Sequence, residues 1–209
     1  MDNSRRKSPA LVRFLASISL DIERWRNGDP YDLPALESLP SHEQTEVYQV
    51  LAERLTGAGD WRDVDALAAL GTPAADTLLA NCARHANAIV RLRAGWWLAD
   101  RGTPETLERE LLSVLGDRDT DAPIEMTMRL AKEYPTTEVR RALLQCAVDG
   151  AHHLRAHAAA LALFIAGRAG EPFDWTHRPL FLRFGEEDRS VRLAAMEDLR
   201  RLISGTDEY

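Results

Sequence analysis

The sequence predicts an all-α fold, an α-solenoid of about five helical hairpins, on three observations. Helix start and stop signals recur at short intervals along the chain of 209 residues. No Asn-Gly or Asp-Gly pair lies between runs of alternating apolar and polar residues, the pattern typical of a β-hairpin. The segments between helices are too short for long crossovers, so we expect consecutive helices to pack as antiparallel neighbours.

Composition and charge exclude several classes of function. The chain carries 26 Lys and Arg against 33 Asp and Glu, a formal net charge of -7, which argues against a general nucleic-acid binder and against adhesion to anionic lipid. No run of about 18 apolar residues occurs that would span a membrane, and no segment resembles a signal peptide. Cys82 and Cys146 lie in apolar helical segments, which predicts buried, reduced thiols. We therefore expect a cytoplasmic protein that is monomeric when free.

The first 58 residues are predicted to form N-terminal capping helices, because the terminal units of a stack must shield its end. The first helix covers 10–26, and a stop signal at Asn27-Gly28 ends it. Its apolar stripe consists of Leu11, Phe14, Leu15, Ile18 and Ile22. A short helical turn is expected over 33–39. Ser41, with Gln44 three residues on, fits a capping box at the start of the next helix.

Residues 59–204 are predicted to form the repeats and residues 205–209 a tail, within one domain of residues 1–209. Helices in the repeat region open at a capping residue, in two cases followed by proline at the first helical position, where its missing N–H costs nothing. Most of them end at a glycine or before a proline. The predicted starts are Asp60, Thr72-Pro73, Asn87, Thr103-Pro104, Ala122, Thr136 or Thr137, Ala151, Asp174 and Asp188.

A pattern of cap, two variable residues, aliphatic residue, arginine and a later alanine recurs at four helix starts. The copies begin at Asn87, Thr136, Ala151 and Asp188 and carry Arg91, Arg140, Arg155 and Arg192. The cap accepts a hydrogen bond from an orphan N–H of the first turn. The aliphatic residue and the alanine share a face, where a methyl group lets a neighbouring helix approach closely. The arginine is expected to reach a carboxylate or a turn carbonyl with its guanidinium.

This pattern resembles the Asp-x-x-Val-Arg-x-x-Ala start of the second helix in bacterial HEAT-like repeats of the phycobilisome-lyase type. Asp188, Val191, Arg192 and Ala195 match it in full, Asn87 begins a second match, and the copies at Thr136 and Ala151 are degenerate. The resemblance covers about residues 60–204 and implies a solenoid that binds partners rather than one defined reaction. Small acidic HEAT-like proteins of this size also resemble immunity proteins of polymorphic toxin systems.

Acidic turns are the predicted partner-binding surface. Asp117, Asp119 and Asp121 alternate in one turn, and Glu186 and Glu187 occupy another. Clustered carboxylates are most often solvated surface, but they also complement a basic partner and raise its association rate. The aspartate spacing lacks the glycine and closing glutamate of a calcium loop. Two predicted anchors, Trp96 and Trp97, point about 100° apart on a helix, so that one can pack inward while the other faces a groove.

Three histidines raise the question of a metal. His153 and His157 are four residues apart and share a helix face, beside His152. Zinc needs further ligands, and the chain has no CxxC or HExxH motif to supply them. We expect no metal, no cofactor and no catalytic constellation.

The sequence thus predicts a non-enzymatic protein-binding module, most concretely an immunity protein that neutralises a basic toxin domain by covering its active cleft. Two alternatives stay open. One is a general protein-interaction adaptor. The other is a HEAT-like DNA glycosylase acting on damaged bases, with Asp63 or Asp100 beside tryptophans. The tryptophans concerned are Trp61, Trp96, Trp97 and Trp175. The negative net charge opposes this second alternative, because phosphate neutralisation supplies most of the affinity for DNA.

Overall fold

The computed structural model describes residues 7–19 and 29–205, and every regular element within these ranges is a helix, as predicted. The elements are α1 (Pro9–Ile18), α2 (Pro34–Glu37), α3 (Ser41–Thr56), α4 (Trp61–Leu70), α5 (Pro73–Cys82), α6 (Ala88–Asp100), α7 (Pro104–Gly116), α8 (Ile124–Glu133), α9 (Thr137–Asp149), α10 (His152–Ile165), a 3-10 helix (Trp175–His177), α11 (Arg178–Arg183) and α12 (Arg189–Ser204). The predicted extension of the first helix to Arg26, with Ile22 and the stop at Asn27-Gly28, lies outside the described residues, as do residues 206–209 of the tail. None of the described helices has the length and apolar character needed to cross a membrane.

Most predicted helix starts are confirmed, because the predicted capping side chains accept hydrogen bonds from the first turn of their helices. The Asp60 side chain accepts from the first turn of α4 while Asp63 accepts from the backbone N–H of Asp60, which completes a capping box. Thr72 caps α5 ahead of Pro73. At its other end, α4 stops at Gly71, whose φ of 60° is a left-handed conformation that favours glycine.

The predicted side-chain caps of two helices, α3 and α7, are wrong. Ser41 is the first residue of α3 and its N-cap is Pro40, so no capping box forms. The amide of Gln44 instead donates to the carbonyl of Leu39. Pro104 opens α7 as predicted, but the side chain of Thr103 makes no capping bond to that helix.

The chain groups into two compact units, Met1–Leu98 and Ala99–Tyr209. The prediction of one domain over residues 1–209 stays a prediction. In the first unit α4 packs against α2, α3 and α5, and α1 packs against α2. Its core is a single apolar cluster that also takes in the start of α6. Central members of this cluster are Leu11, Phe14, Val47, Leu51, Val64, Leu67, Leu79, Val90 and Ala94.

The second unit consists of two rows of helices. In one row α9 packs against α7 and α12, and in the other α10 packs against α8 and α11. The tightest pairing joins the rows through α9 and α10. The residues between them are fully buried and largely aliphatic, and include Leu107, Leu111, Leu130, Leu143, Leu154, Leu161 and Leu199. Burial of such side chains stabilises a fold by about 1.5–3 kcal/mol each.

The repeat arginines reach turn carbonyls in all four copies, as predicted. Arg91 donates to the carbonyls of residues 85 and 86, Arg140 to that of residue 135, and Arg155 to that of residue 150. Arg192 donates to the carbonyls of residues 186 and 187. Each arginine therefore folds back over the turn that precedes its own helix, and the recurring motif is a device for holding that turn.

Candidate protein-docking surface

The two predicted acidic turns lie on one edge of the second unit. Three segments meet there: the turn after α7, the turn between α9 and α10, and the turn before α12. Residues 117–122, 149–153 and 185–189 form this surface, which we call the acidic edge. The link between its segments is Asp149, whose carboxylate lies 3.5 Å from Arg118 of the first turn and 2.7 Å from Arg189 of the third.

Asp149 stays charged because of these contacts. Arg189 binds it with two parallel hydrogen bonds of 2.7 and 2.9 Å. These bonds, helped by the charges of Arg118 and Arg192, hold the pKa of the Asp149 carboxyl below its ordinary value. The single negative charge of Asp149 is thus taken up by Arg118 and Arg189, and the negative charge of the edge comes from the other carboxylates.

Two of the three histidines tie the segments together through backbone. The ring Nε2 of His153 lies 3.0 Å from the carbonyl oxygen of Ala122, and that of His152 lies 3.0 Å from the carbonyl oxygen of Gly185. Because a carbonyl only accepts, each Nε2 must carry the proton. The His152 ring also lies 3.6 Å from a carboxylate oxygen of Glu187. His152 and His153 therefore act as cross-links between turns.

His157 belongs to a different environment. Its ring stacks on Phe173 with centroids 5.1 Å apart, and burial lowers its pKa, helped by the nearby His153. Within the described ranges, no three His, Cys, Asp or Glu side chains are grouped so that they could hold a metal ion.

Arg192 fixes the acidic edge from beneath. Arg192 is 6% exposed. Its guanidinium donates to three carbonyls, those of Val148, Glu186 and Glu187, at 2.6–2.7 Å. Burial lowers the pKa of Arg192, and the charge of Arg155 lowers it further. The Val148 carbonyl is one of the last four of α9, which lack partners within their helix. Arg192 thus joins the end of α9 to the turn that displays Glu186 and Glu187.

The predicted partner-binding carboxylates are exposed on this edge. Asp117, Asp119, Asp121, Glu186 and Glu187 all lie at the surface. Asp117 accepts from the backbone N–H of Asp119 at 2.9 Å, which stiffens its turn. Since carboxylates outnumber guanidiniums along the edge, the surface that it presents is negative.

Trp96 and Trp97 lie in the first unit and are half-buried. The indole N–H of Trp97 donates to Asp65 at 2.7 Å, and Arg93 binds the same carboxylate with two bonds of 2.5 and 2.9 Å. The Arg93 guanidinium lies 4.4 Å from the centroid of Trp96 and 5.8 Å from that of Trp61. The tryptophans are therefore grouped around Arg93 and its partner Asp65.

The two aspartates considered for glycosylase chemistry lie elsewhere. Asp63 is 1% exposed and accepts from Tyr31 at 2.9 Å and from Arg54 at 2.7 Å. It borders an open cleft of about 500 Å³ in the first unit, together with Arg54 and the paired Asp60 and Arg62. Burial raises the pKa of Tyr31 well above its ordinary value. Asp100 is exposed at the end of α6.

Trp175 is the one described tryptophan with a largely free surface, at 68% exposure, and sequence reasoning did not name it as a docking residue. Leu182, at 52%, accompanies it. In the sequence these two residues are seven apart, a spacing typical of one side of a helix. Apolar residues at helical spacing usually indicate the buried side, so this spacing does not predict an exposed pair.

Comparison of the chain with known protein families, with curated proteins and with solved structures gives no match.

Proposed function

We propose that this chain is a non-enzymatic protein-binding module whose acidic edge docks a basic partner. In its most concrete form it is an immunity protein of a polymorphic toxin system. The observation that carries the proposal is the joining of turns that lie far apart in sequence. Asp149, His152 and His153 link the turn at 117–122 to the turn at 185–189, which makes one continuous negative surface. Such a surface steers a basic protein and selects it against other partners.

The proposal includes an α-solenoid of about five HEAT-like hairpins as the scaffold. Its support is the repeat motif with its arginines folded onto the preceding turns, together with the two rows of helices in the second unit. In such a scaffold, turns from successive repeats line up along one side, which is how short local signals add up to an extended surface.

Neutralisation would be steric. A toxin domain that binds RNA, DNA or another anionic substrate carries basic residues around its cleft, and these are the groups that the acidic edge would pair with. Desolvated charge pairs at the centre of the contact give specificity, while the surrounding contacts exclude water. No atom of the protein has to enter the chemistry of the toxin.

The experiment is co-expression with the protein encoded by the adjacent gene. We expect the two to co-purify and the chain to restore growth of cells that express that protein alone. A variant in which Asp117, Asp119, Asp121, Glu186 and Glu187 become amides should lose both properties. The matched control neutralises five exposed glutamates that are not part of the edge: Glu37, Glu53, Glu105, Glu133 and Glu171. Failure of the unaltered chain to bind or to rescue would end the immunity proposal.

A second candidate, a DNA glycosylase, is favoured by the cluster of Trp61, Trp96 and Trp97 around a carboxylate. It ranks lower because Asp65 is 5% exposed and is already bound by Arg93 and Trp97. Its test is release of an alkylated base from duplex DNA. Release that is lost in Asp65→Asn and retained after neutralisation of the acidic edge would favour the glycosylase over the binding module.

A further inference from the structure

Three exposed apolar side chains lie in the segment formed by the 3-10 helix and α11, beside the exposed Arg178. They are Trp175, Pro179 and Leu182, which we call the apolar stripe. Trp175 and Leu182 are 68% and 52% exposed, and Pro179 between them is exposed as well. Pro179 and Leu182 are three residues apart on α11 and share a face. Trp175 lies on the 3-10 helix that leads directly into α11, and Phe181 of α11 is fully buried. Exposed apolar stripes of this kind mark sites where another molecule binds.

Trp175 is held rigidly in its exposed position. The Asp174 carboxylate accepts from the backbone N–H of Thr176 at 2.9 Å and of Gly170 at 3.1 Å, and these bonds lower its pKa. The guanidinium of Arg178 lies 5.0 Å from the centroid of the Trp175 ring. An anchor that is already fixed loses little freedom on binding, so that more of its contact energy appears as affinity.

The segment that carries Trp175 is also packed from below. Phe173 lies against Phe181 of α11, with centroids 5.2 Å apart, and against His157 of α10 at 5.1 Å. The turn and the helix therefore share one aromatic support. The stripe keeps its shape because the residues beneath it, and not a partner, hold it in place.

The stripe leads to the acidic edge. Glu186 and Glu187 follow the end of α11 by three and four residues and are exposed. A carboxylate oxygen of Glu187 lies 3.6 Å from the His152 ring. A molecule lying along α11 thus meets apolar side chains first and carboxylates at the C-terminal end. This order fits a partner whose apolar groups are followed by lysines or arginines.

We propose that the apolar stripe anchors an amphipathic helix of the basic protein that docks on the acidic edge. The apolar side of that helix would cover Trp175 and Leu182, and cations at one end would pair with Glu186 and Glu187. Tryptophan and arginine are enriched among residues that dominate binding energy, and helices bind grooves and stripes through apolar anchors at this spacing. The inference rests on the proposed function and names the structural class of its partner.

The test uses two synthetic peptides as probes, an amphipathic helix of leucine and lysine and a lysine peptide of equal charge. Titration calorimetry gives the affinities. The chain has five tryptophans, so the contribution of Trp175 to emission and acrylamide quenching is taken as the difference between the unaltered chain and Trp175→Ala. We expect the leucine–lysine helix to shield Trp175 and to bind about tenfold or more weakly to Trp175→Ala and Leu182→Ala. Val12→Ala is the matched control, since Val12 is 54% exposed on α1 in the first unit, and it should change the affinity by no more than about twofold.

The lysine peptide separates this inference from the proposed function. Binding of both peptides to Trp175→Ala with unchanged affinity would overturn the anchor and leave the acidic edge standing. Failure of the lysine peptide alone would count against the acidic edge, and failure of both peptides would overturn both. Light scattering adds one more decisive result: a dimer of the unaltered chain that Trp175→Ala dissociates would show that a second copy occupies the stripe, against the proposal.

Discussion

Replacing Arg192 with methionine tests the idea that the repeat arginine holds its turn. Methionine retains the length and most of the volume of the arginine stem, so the change removes hydrogen bonds with little loss of packing. The matched control is Arg140→Met. Arg140 occupies the same repeat position but is exposed and donates to the carbonyl of Pro135.

The loss of unfolding free energy expected for Arg192→Met follows from the three carbonyls to which Arg192 donates hydrogen bonds. The Val148 carbonyl belongs to a residue that is 6% exposed, and leaving it without a donor costs about 1–3 kcal/mol. The carbonyls of Glu186 and Glu187 lie in an exposed turn, so water can replace part of the lost bonds. The lowered pKa of Arg192 shows that burial opposes its charge, and methionine relieves that cost. We expect Arg192→Met to lose about 2–4 kcal/mol of unfolding free energy and Arg140→Met less than about 1 kcal/mol.

Urea unfolding followed by far-ultraviolet circular dichroism measures both variants. The urea concentration at the transition midpoint should be clearly lower for Arg192→Met than for Arg140→Met. The dependence of the unfolding free energy on urea concentration should be the same in both variants. Equal midpoints for the two variants would show that neither burial nor the number of bound carbonyls determines how much a repeat arginine contributes to the free energy of unfolding.

Three further predictions concern glycine, thiol and histidine positions. An alanine Cβ at Gly150 would lie 2.7 Å from the carbonyl oxygen of Cys146, so Gly150→Ala should destabilise by about 1–3 kcal/mol in thermal unfolding. Gly116→Ala, with open space around the new Cβ, should leave the midpoint unchanged or raise it. Burial raises the pKa of Cys82 to about 11 and of Cys146 to about 12, so both thiols should react with a chromogenic disulfide only after unfolding, and rapid reaction of the native protein would contradict this. Burial lowers the pKa of His157 below its ordinary 6.5, so the unfolded chain takes up a proton that the folded one resists, and stability should fall as pH drops below about 6.5. His157→Phe should show a smaller loss between pH 7.5 and 5.5, and an unchanged loss would argue against this account.

The all-helical fold could be predicted because its signals are local. Caps such as Asp60, Thr72 and Asp188 bind N–H groups two or three residues away, and glycine ends such as Gly71 need only their own backbone conformation. A helix start was predicted wrongly where the local residues do not determine where the helix begins. Ser41 has the right chemistry for a cap, but the chain enters α3 one residue earlier, at Pro40, which has no side-chain oxygen to accept a bond.

The sequence predicts which carboxylates form the candidate site, but it does not predict which residues contact one another there. The carboxylates were evident from sequence, whereas the role of Asp149 as the link between Arg118 and Arg189 depends on contacts 31 and 40 residues apart. The same holds for Asp65, whose partners Arg93 and Trp97 follow 28 and 32 residues later. Side chains that act across helices carry no local signal, because their partners are chosen by the stacking of the helices.

Titration calorimetry over a range of salt concentrations measures the affinity of the chain for the protein encoded by the adjacent gene and shows whether the acidic edge is where that protein docks. Amides at the five exposed carboxylates of the edge should raise Kd by about tenfold or more and flatten its salt dependence, because long-range attraction between the proteins is screened by salt. The control with five neutralised glutamates elsewhere should bind as the unaltered chain does. Equal affinities and equal salt slopes for all three proteins would contradict the claim that this edge is the docking surface.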